Sequence, residues 1–180
     1  TPAVTGNSLN NLASSGQNGE YIALSNNALD NLTINGLSAT FEGTTGGSRN
    51  TADNYLLENK ILHAVDNDTL GFVSVKANQV FVTQTSFDTL GTPATTTPSV
   101  QRGIDAAAAS GDTVNIEGGP TSYTGGANTS GKSVTVSPGA SPAQVNITRD
   151  LVLDGDDTVV FDIDGLTAGT QYDQIAVTGM

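Results

Sequence analysis

Cysteine is absent from the 180 residues, and so is tryptophan. The lack of cysteine excludes a disulfide scaffold, thiolate metal sites and cysteine nucleophiles, while leaving the compartment open. Positive charge is scarce: six Lys and Arg stand against eighteen Asp and Glu, a formal net charge of −12. Nucleic-acid binding needs clustered cations to neutralise phosphate, and Arg49, Arg102 and Arg149 are scattered along the chain. The same scarcity argues against an anionic membrane surface. No apolar run approaches the roughly 20 residues of a membrane-spanning helix, so membrane insertion is not expected. The opening TPAVTGNSLNNLASSG has no basic stretch and is not a signal peptide; it reads as a mature or excised end. The closing AVTGM breaks off just after a strand pattern, and we expect a piece of a longer chain.

What is present is Thr, Ser, Asn and Gly, with 21 glycines, in short apolar runs separated by turn formers. This texture suits a repetitive secreted or cell-surface β-protein. Residues 1–19 read as a loose leader or an edge. Tyr21–Leu24, Leu32–Ile34 and Ala39–Phe41 are brief strand-like runs bounded by Asn, Asp and Gly. Residues 44–54 are a loop by composition. YLLENKILHAV, residues 55–65, fits a helical face or two buried strands, and the β-rich LGFVSVKANQVFVTQTSF that follows favours strands. GTPATTTPS, residues 91–99, is the best internal boundary, dividing a β-rich segment 1–98 from a segment 99–180. One helix is expected near 99–109, with Pro98 in the first turn, Thr97 or Ser99 as cap, Val100, Ile104 and Ala108 on one face, and Gly111 as the stop. DNLTING, DTVNIEG, AQVNITRD and DDTVVFDIDG then share a polar–β–polar–β shape at uneven intervals. Stacked coils that bury aliphatic residues and leave Thr, Asn and Asp outside would produce this pattern.

SVQRGIDAAAASGDTVNIEGG resembles the opening of many right-handed parallel β-helix proteins, where a short capping helix precedes a GDTV strand. AQVNITRDLVLDGDDTVVFDIDGLTAGTQYDQIAVTG is similar to segments of autotransporter-type passengers and other large bacterial surface proteins, near the end of a β-helical stalk. Arg149-Asp150 stands where such repeats commonly carry Gly-Asn. Together these matches cover residues 99–179. They imply an all-β, right-handed parallel β-helix with one short capping helix, secreted or at the cell surface, and no assigned activity.

Several motifs invite chemistry. Gly126 to Ser133 matches the phosphate-binding pattern G-x-x-x-x-G-K-[ST], which requires a helix after the lysine to cradle phosphate. Here SVTVSPG follows, a β-run, so no nucleotide is expected. Gly155-Asp156-Asp157 resembles the paired carboxylates of β-helical polygalacturonases. The Gly-His-Gly and Arg-x-Lys that accompany them there are missing, and Arg149 is the only nearby base for a lyase. His63 lies among apolar residues with no partner His or Cys, the setting of a buried, hydrogen-bonded histidine. The dense acidic stretch offers Asp154, Asp156, Asp157, Asp162 and Asp164 as calcium ligands, since calcium takes six to eight oxygens. If Asp162 and Asp164 alternate with Phe161 and Ile163 on a strand, both carboxylates share the outer face; a solvated acidic face is the simpler account. Sequons at Asn31, Asn67, Asn128 and Asn146 matter only in a glycosylating host.

The expectation is therefore a non-catalytic structural module, a stalk, adhesin or self-assembling unit that needs no cofactor. Its partners would be copies of itself or adjacent repeats, and glycans. The alternative is a calcium-dependent carbohydrate-binding module or a β-helical polysaccharide lyase or hydrolase.

Overall fold

A computed structural model describes residues 8–9, 20–24, 32–140 and 142–179. The leader expected over 1–19 and the sequon at Asn31 lie outside these residues, apart from a two-residue strand. The chain is mostly strand, with two α-helices. The strands are β1 (Ser8–Leu9), β2 (Ile22–Ala23), β3 (Thr33–Asn35), β4 (Thr40–Phe41), β5 (Thr44–Thr45), β6 (Ile61–Leu62), β7 (Phe72–Ser74) and β8 (Gln79–Val82), then β9 (Ser110–Glu117), β10 (Ala127–Asn128), β11 (Ser133–Gly139), β12 (Gln144–Ile147), β13 (Leu151–Val152), β14 (Thr158–Val159) and β15 (Gln174–Val177). The helices are α1 (Thr51–Glu58) and α2 (Val100–Ala106).

Among the described residues every strand pairing is parallel except the β4–β5 hairpin. The largest sheet runs β8, β9, β11, β14, and the others hold two or three strands. Parallel neighbours cannot be joined by a tight turn, so each strand finds its partner only after the chain has gone round and come back. In the four-stranded sheet like residues stand beside like. Val80 pairs with Val114, Val114 with Val136 and Val136 with Val159, while Gln79, Thr113, Thr135 and Thr158 form the adjacent row. Val80, Val114 and Val136 are fully buried, and the Thr row faces outward. Because the side-chain period is two, a slip of one residue in any strand would exchange these rows.

Two apolar cores result. One gathers Val65, Val80, Val114, Val136, Tyr123 and Ile147 beneath α2, with Val100 and Ile104 turned into it. The other holds Ile34, Phe41, Leu57, Ile61 and Val73.

The strand reading of residues 55–65 is corrected: Tyr55 to Glu58 are helical and only Ile61–Leu62 is strand. The helix begins inside the expected loop because the Asn50 side chain accepts from the Asp53 amide at 2.8 Å, an N-cap with an acidic residue in the first turn. Asn54, fully buried, then ties the helix to the carbonyls of Gly46, Arg49 and Asn50.

Helix α2 lies where the sequence placed it but stops earlier. Ala107 is already extended, and Gly111, with φ +86°, lies within β9 instead of ending the helix. Ala107 takes the inward place expected of Ala108, which is exposed. Ser99 occupies the cap position without a side-chain hydrogen bond, and Pro98 precedes the helix.

Gly103 lets α2 approach the sheet. A Cβ there would lie 2.2 Å from Val82 Cγ2, closer than packing allows. Gly103→Ala is therefore expected to cost about 1–3 kcal/mol of stability through overpacking. Combining it with Val82→Ala should recover part of that loss, read as a coupling in denaturant melts of the two single variants and the double.

Candidate functional site

The segment that matches a phosphate loop clamps the end of α2. Strand β10 lies within it, Gly131 turns the chain at φ +84°, and β11 begins at its last residue. Lys132 Nζ donates to the carbonyls of Ile104, Asp105 and Ala107 at 2.7, 2.7 and 2.6 Å. The last carbonyls of a helix have no partner within it, and the lysine supplies one. Partial burial lowers its pKa, partly offset by Asp105 and Asp112. Gln101 completes the joint, accepting from the Asn128 amide at 2.7 Å and donating to the Asn128 carbonyl at 3.2 Å.

The five acidic residues put forward as calcium ligands fall into two groups. Asp154, Asp156 and Asp157 share one turn. Asp157 is a structural acceptor: Oδ2 receives Thr129 Oγ1 and the Asp154 amide, and Oδ1 receives the Val134 amide at 3.1 Å. Burial pushes its carboxyl up, but these donors outweigh it and hold the pKa below the ordinary value. Asp154 is raised, first by a hydrogen bond with Asp156 and then by burial and by repulsion from Asp156 and Asp157. Asp162 and Asp164 stand on a later stretch and are exposed.

The expected alternation around them is corrected. Phe161 and Ile163 are exposed too, Ile163 by 75%. The strand ends at Val159, after which the Asp162 amide donates to Asp173 Oδ2 and the Asp164 amide to the Gln171 carbonyl. With those amides engaged by a side chain and by an isolated antiparallel bridge between Ile163 and Tyr172, no continuous ladder sets the alternation. Asp173, which the sequence reading passed over, is buried and also accepts the Ala143 amide at 2.7 Å through Oδ1. Among the described residues no group of three or more acidic or histidine side chains is arranged to hold a metal ion.

A buried cluster of titratable side chains lies elsewhere, at Glu58, His63 and Asp66. His63 is fully buried, as its apolar surroundings imply. Its Nε2 meets Glu58 Oε1 at the end of α1, and its Nδ1 accepts the Val73 amide at 3.0 Å. The ring stacks on Phe72 with centroids 5.2 Å apart. A ring nitrogen that accepts an N–H carries no proton of its own, so this geometry holds the neutral imidazole with its proton on Nε2. Asp66 Oδ2 accepts the His63 amide at 2.9 Å, closing a His-x-x-Asp turn. Burial pushes the Asp66 carboxyl up to about 8, although His63 draws it down.

Glu20, Glu58 and Asp66 line a cavity of about 410 Å³, with Lys60, Thr85 and Thr89 on the same wall. The sequence reading singled out His63 without its partners. The available signal was local: Glu58 precedes β6 on a capped helix, and Asp66 follows His63 at the spacing of a side-chain-closed turn.

Comparison of the chain with protein-family models, with curated proteins and with solved structures finds no match.

An acid whose pKa is raised on folding contributes stability below its unfolded value, and that contribution is lost as pH rises to its folded value. For Asp66 the window runs from about 4, the ordinary carboxyl value, to about 8. Wild-type stability relative to Asp66→Asn should therefore fall across this window, with a slope approaching ~1.4 kcal/mol per pH unit, and level off above it. Paired denaturant melts at several pH values measure the difference; a constant difference would mean that Asp66 is ionised throughout.

Proposed function

We propose that this chain is a module of a right-handed parallel β-helix whose function is structural: a stalk, adhesin or assembly unit of a secreted or cell-surface protein, without catalysis. The observation that carries the reading is the in-register row Val80, Val114, Val136, Val159, built from parallel strands that stand side by side in chain order. Three further parallel pairs, β10 with β13, β12 with β15 and β3 with β7, repeat the scheme on other sides of the cores. A crossover between parallel strands is right-handed in nearly all proteins, which supports the hand. Composition supports the location: few cations and abundant Thr, Ser, Asn and Gly.

The partners in this reading are copies of the chain or adjacent repeats of a longer one, with glycans as ligands of the Thr-rich outer rows. Support comes from the last turns. Among the described residues, seven of the ten large apolar side chains that stand exposed fall between Val152 and Val177, with Ile163 at 75% and Leu166 at 94%. Strands β13, β14 and β15 each have a neighbour on one side only. An apolar, one-sided strand edge is a template for further pairing.

Sedimentation velocity over a concentration series tests this. The wild-type chain should associate as concentration rises, and Ile163→Lys with Leu166→Lys should sediment as a monomer with an unchanged circular dichroism spectrum. A wild-type chain that stays monomeric at high concentration would remove the assembly reading.

A second reading, a calcium-dependent carbohydrate-binding module, draws on the crowding of Asp154 against Asp156 and Asp157, which a cation would relieve. A ligand of the native state raises stability by mass action, by about 2.7 kcal/mol at one hundred times its Kd. The Tm should then climb with millimolar calcium and drop back in Asp156→Asn; an unchanged melting curve dismisses this reading.

A further inference from the structure

We propose that His63 is a proton-operated latch at the seam of the two apolar cores: a second proton on its ring displaces the Val73 amide and loosens the joint that holds α1, β6 and β7 to one another there. The inference stands on the geometry around the ring and does not depend on the assembly reading above.

The ring sits on the seam. Leu57, Ile61 and Val73 belong to the core that also holds Phe41. Val65, two residues after His63, belongs to the core beneath α2, and Phe72, which the imidazole stacks on, packs against that same core. Nε2 meets Glu58 on α1 and Nδ1 the Val73 amide on β7, both beside the Phe41 core, while the ring face meets Phe72 of the other core. Nδ1 has a single in-plane lone pair. A proton placed there leaves two N–H groups facing each other inside a closed core, where an unpaired donor costs about 1–3 kcal/mol.

The titratable groups that face the ring are Glu58 from α1 and Asp66 from the turn that follows β6. Behind Asp66, the Arg102 guanidinium of α2 acts on that carboxyl. Phe72 and the β7 main chain supply the uncharged side. Burial works against an imidazolium, but the Glu58 carboxylate favours it by charge and hydrogen bond, and the net pull is upward; Asp66 adds to that pull only while it is ionised. Protonation is thereby brought within reach of acidic pH despite complete burial.

The turn carries the disturbance outward. The His63 carbonyl accepts the Asp66 and Asn67 amides at 2.9 and 3.0 Å, and the Ala64 amide donates to the Gly71 carbonyl at 2.9 Å. Thr95 Oγ1 donates to the Asp66 carbonyl at 2.6 Å, and Arg102 Nε to the Val65 carbonyl at 2.8 Å. Movement of the Val73 contact therefore reaches the loop over residues 83–98 and α2.

Nitrogen-15 shifts of the imidazole and amide hydrogen exchange, followed together in the whole chain from pH 8 downward, test the latch. At pH 8 the ring should show the neutral form with its proton on Nε2. Below the ring's own midpoint the Val73 and Ala64 amides should lose protection relative to Val114 and Val136, by about tenfold per pH unit after correction for intrinsic exchange. Glu58→Gln keeps an acceptor for Nε2–H and removes the charge, so the ring midpoint should move down by about one unit or more. Three results would overturn the proposal: a ring that stays neutral until the whole chain unfolds, a ring that protonates while Val73 keeps its protection relative to Val114, or a Glu58→Gln midpoint equal to wild type. Should that variant not fold, the wild-type titration and exchange decide alone.

Discussion

The parallel register of β8, β9, β11 and β14 is the constraint on which the remaining structure depends. Val80, Val114, Val136 and Val159 must stand in one row, because the alternation that turns each of them inward turns the Thr row outward. Parallel pairing also forces every connection to leave the sheet and return, so turns and helices must close the core wherever the strands do not. Helix α2 does this over the row, with Val100 and Ile104 buried and Gly103 thinned to hydrogen so that Val82 fits beneath it. The long path from β8 to β9 is fixed by main-chain contacts: Arg102 donates to the carbonyls of Val65, Ser86 and Thr97.

Most of the polar side chains inside the structure complete the backbone. Asn54 caps three carbonyls, Asp157 and Asp173 collect amides from neighbouring turns, and Asn115 donates to the Val80 carbonyl of the adjacent strand. Short strands leave many main-chain groups without ladder partners, and buried ones must be satisfied. The Glu58–His63–Asp66 cluster differs in kind. It centres on a buried histidine–carboxylate contact, and it lies at the seam of two cores instead of finishing one strand.

The sequence was most legible where a period was enforced by burial. DTVNIEG, SVTVSPG and AQVNIT lie on β9, β11 and β12, and α2 lies near its expected span, because inside and outside residues alternate there over several positions. Legibility failed where a single side chain decides the backbone. Residues 51–58 are helical because Asn50 caps them, and their apolar spacing alone admitted strands. Asp162 and Asp164 lost their expected face because Asp173, eleven positions after Asp162, takes the amide that a ladder would have used. Such contacts span turns, and no local pattern encodes them. The Glu58–His63 pair was hidden for the same reason: an acid on a capped helix and a histidine beyond the next strand meet only once the helix is recognised.

The scarcity of cations takes on a specific meaning in this light. Arg49, Lys76, Arg102 and Lys132, four of the six basic residues, donate to main-chain carbonyls. Each is therefore a clamp on a helix end or a loop, while Asp154, Asp156, Asp162 and Asp164 of the acidic excess stand exposed. Bonds from a partly buried cation to a carbonyl are shielded from salt more than a surface ion pair would be, whereas repulsion among exposed carboxylates is readily screened. A chain built this way gains from ionic strength what an ion-paired surface would lose. Its exposed carboxylates and its structural cations are thus two sides of one allocation: positive charge goes to main-chain carbonyls, and the carboxylates that no buried donor holds stay where water and counterions can manage them.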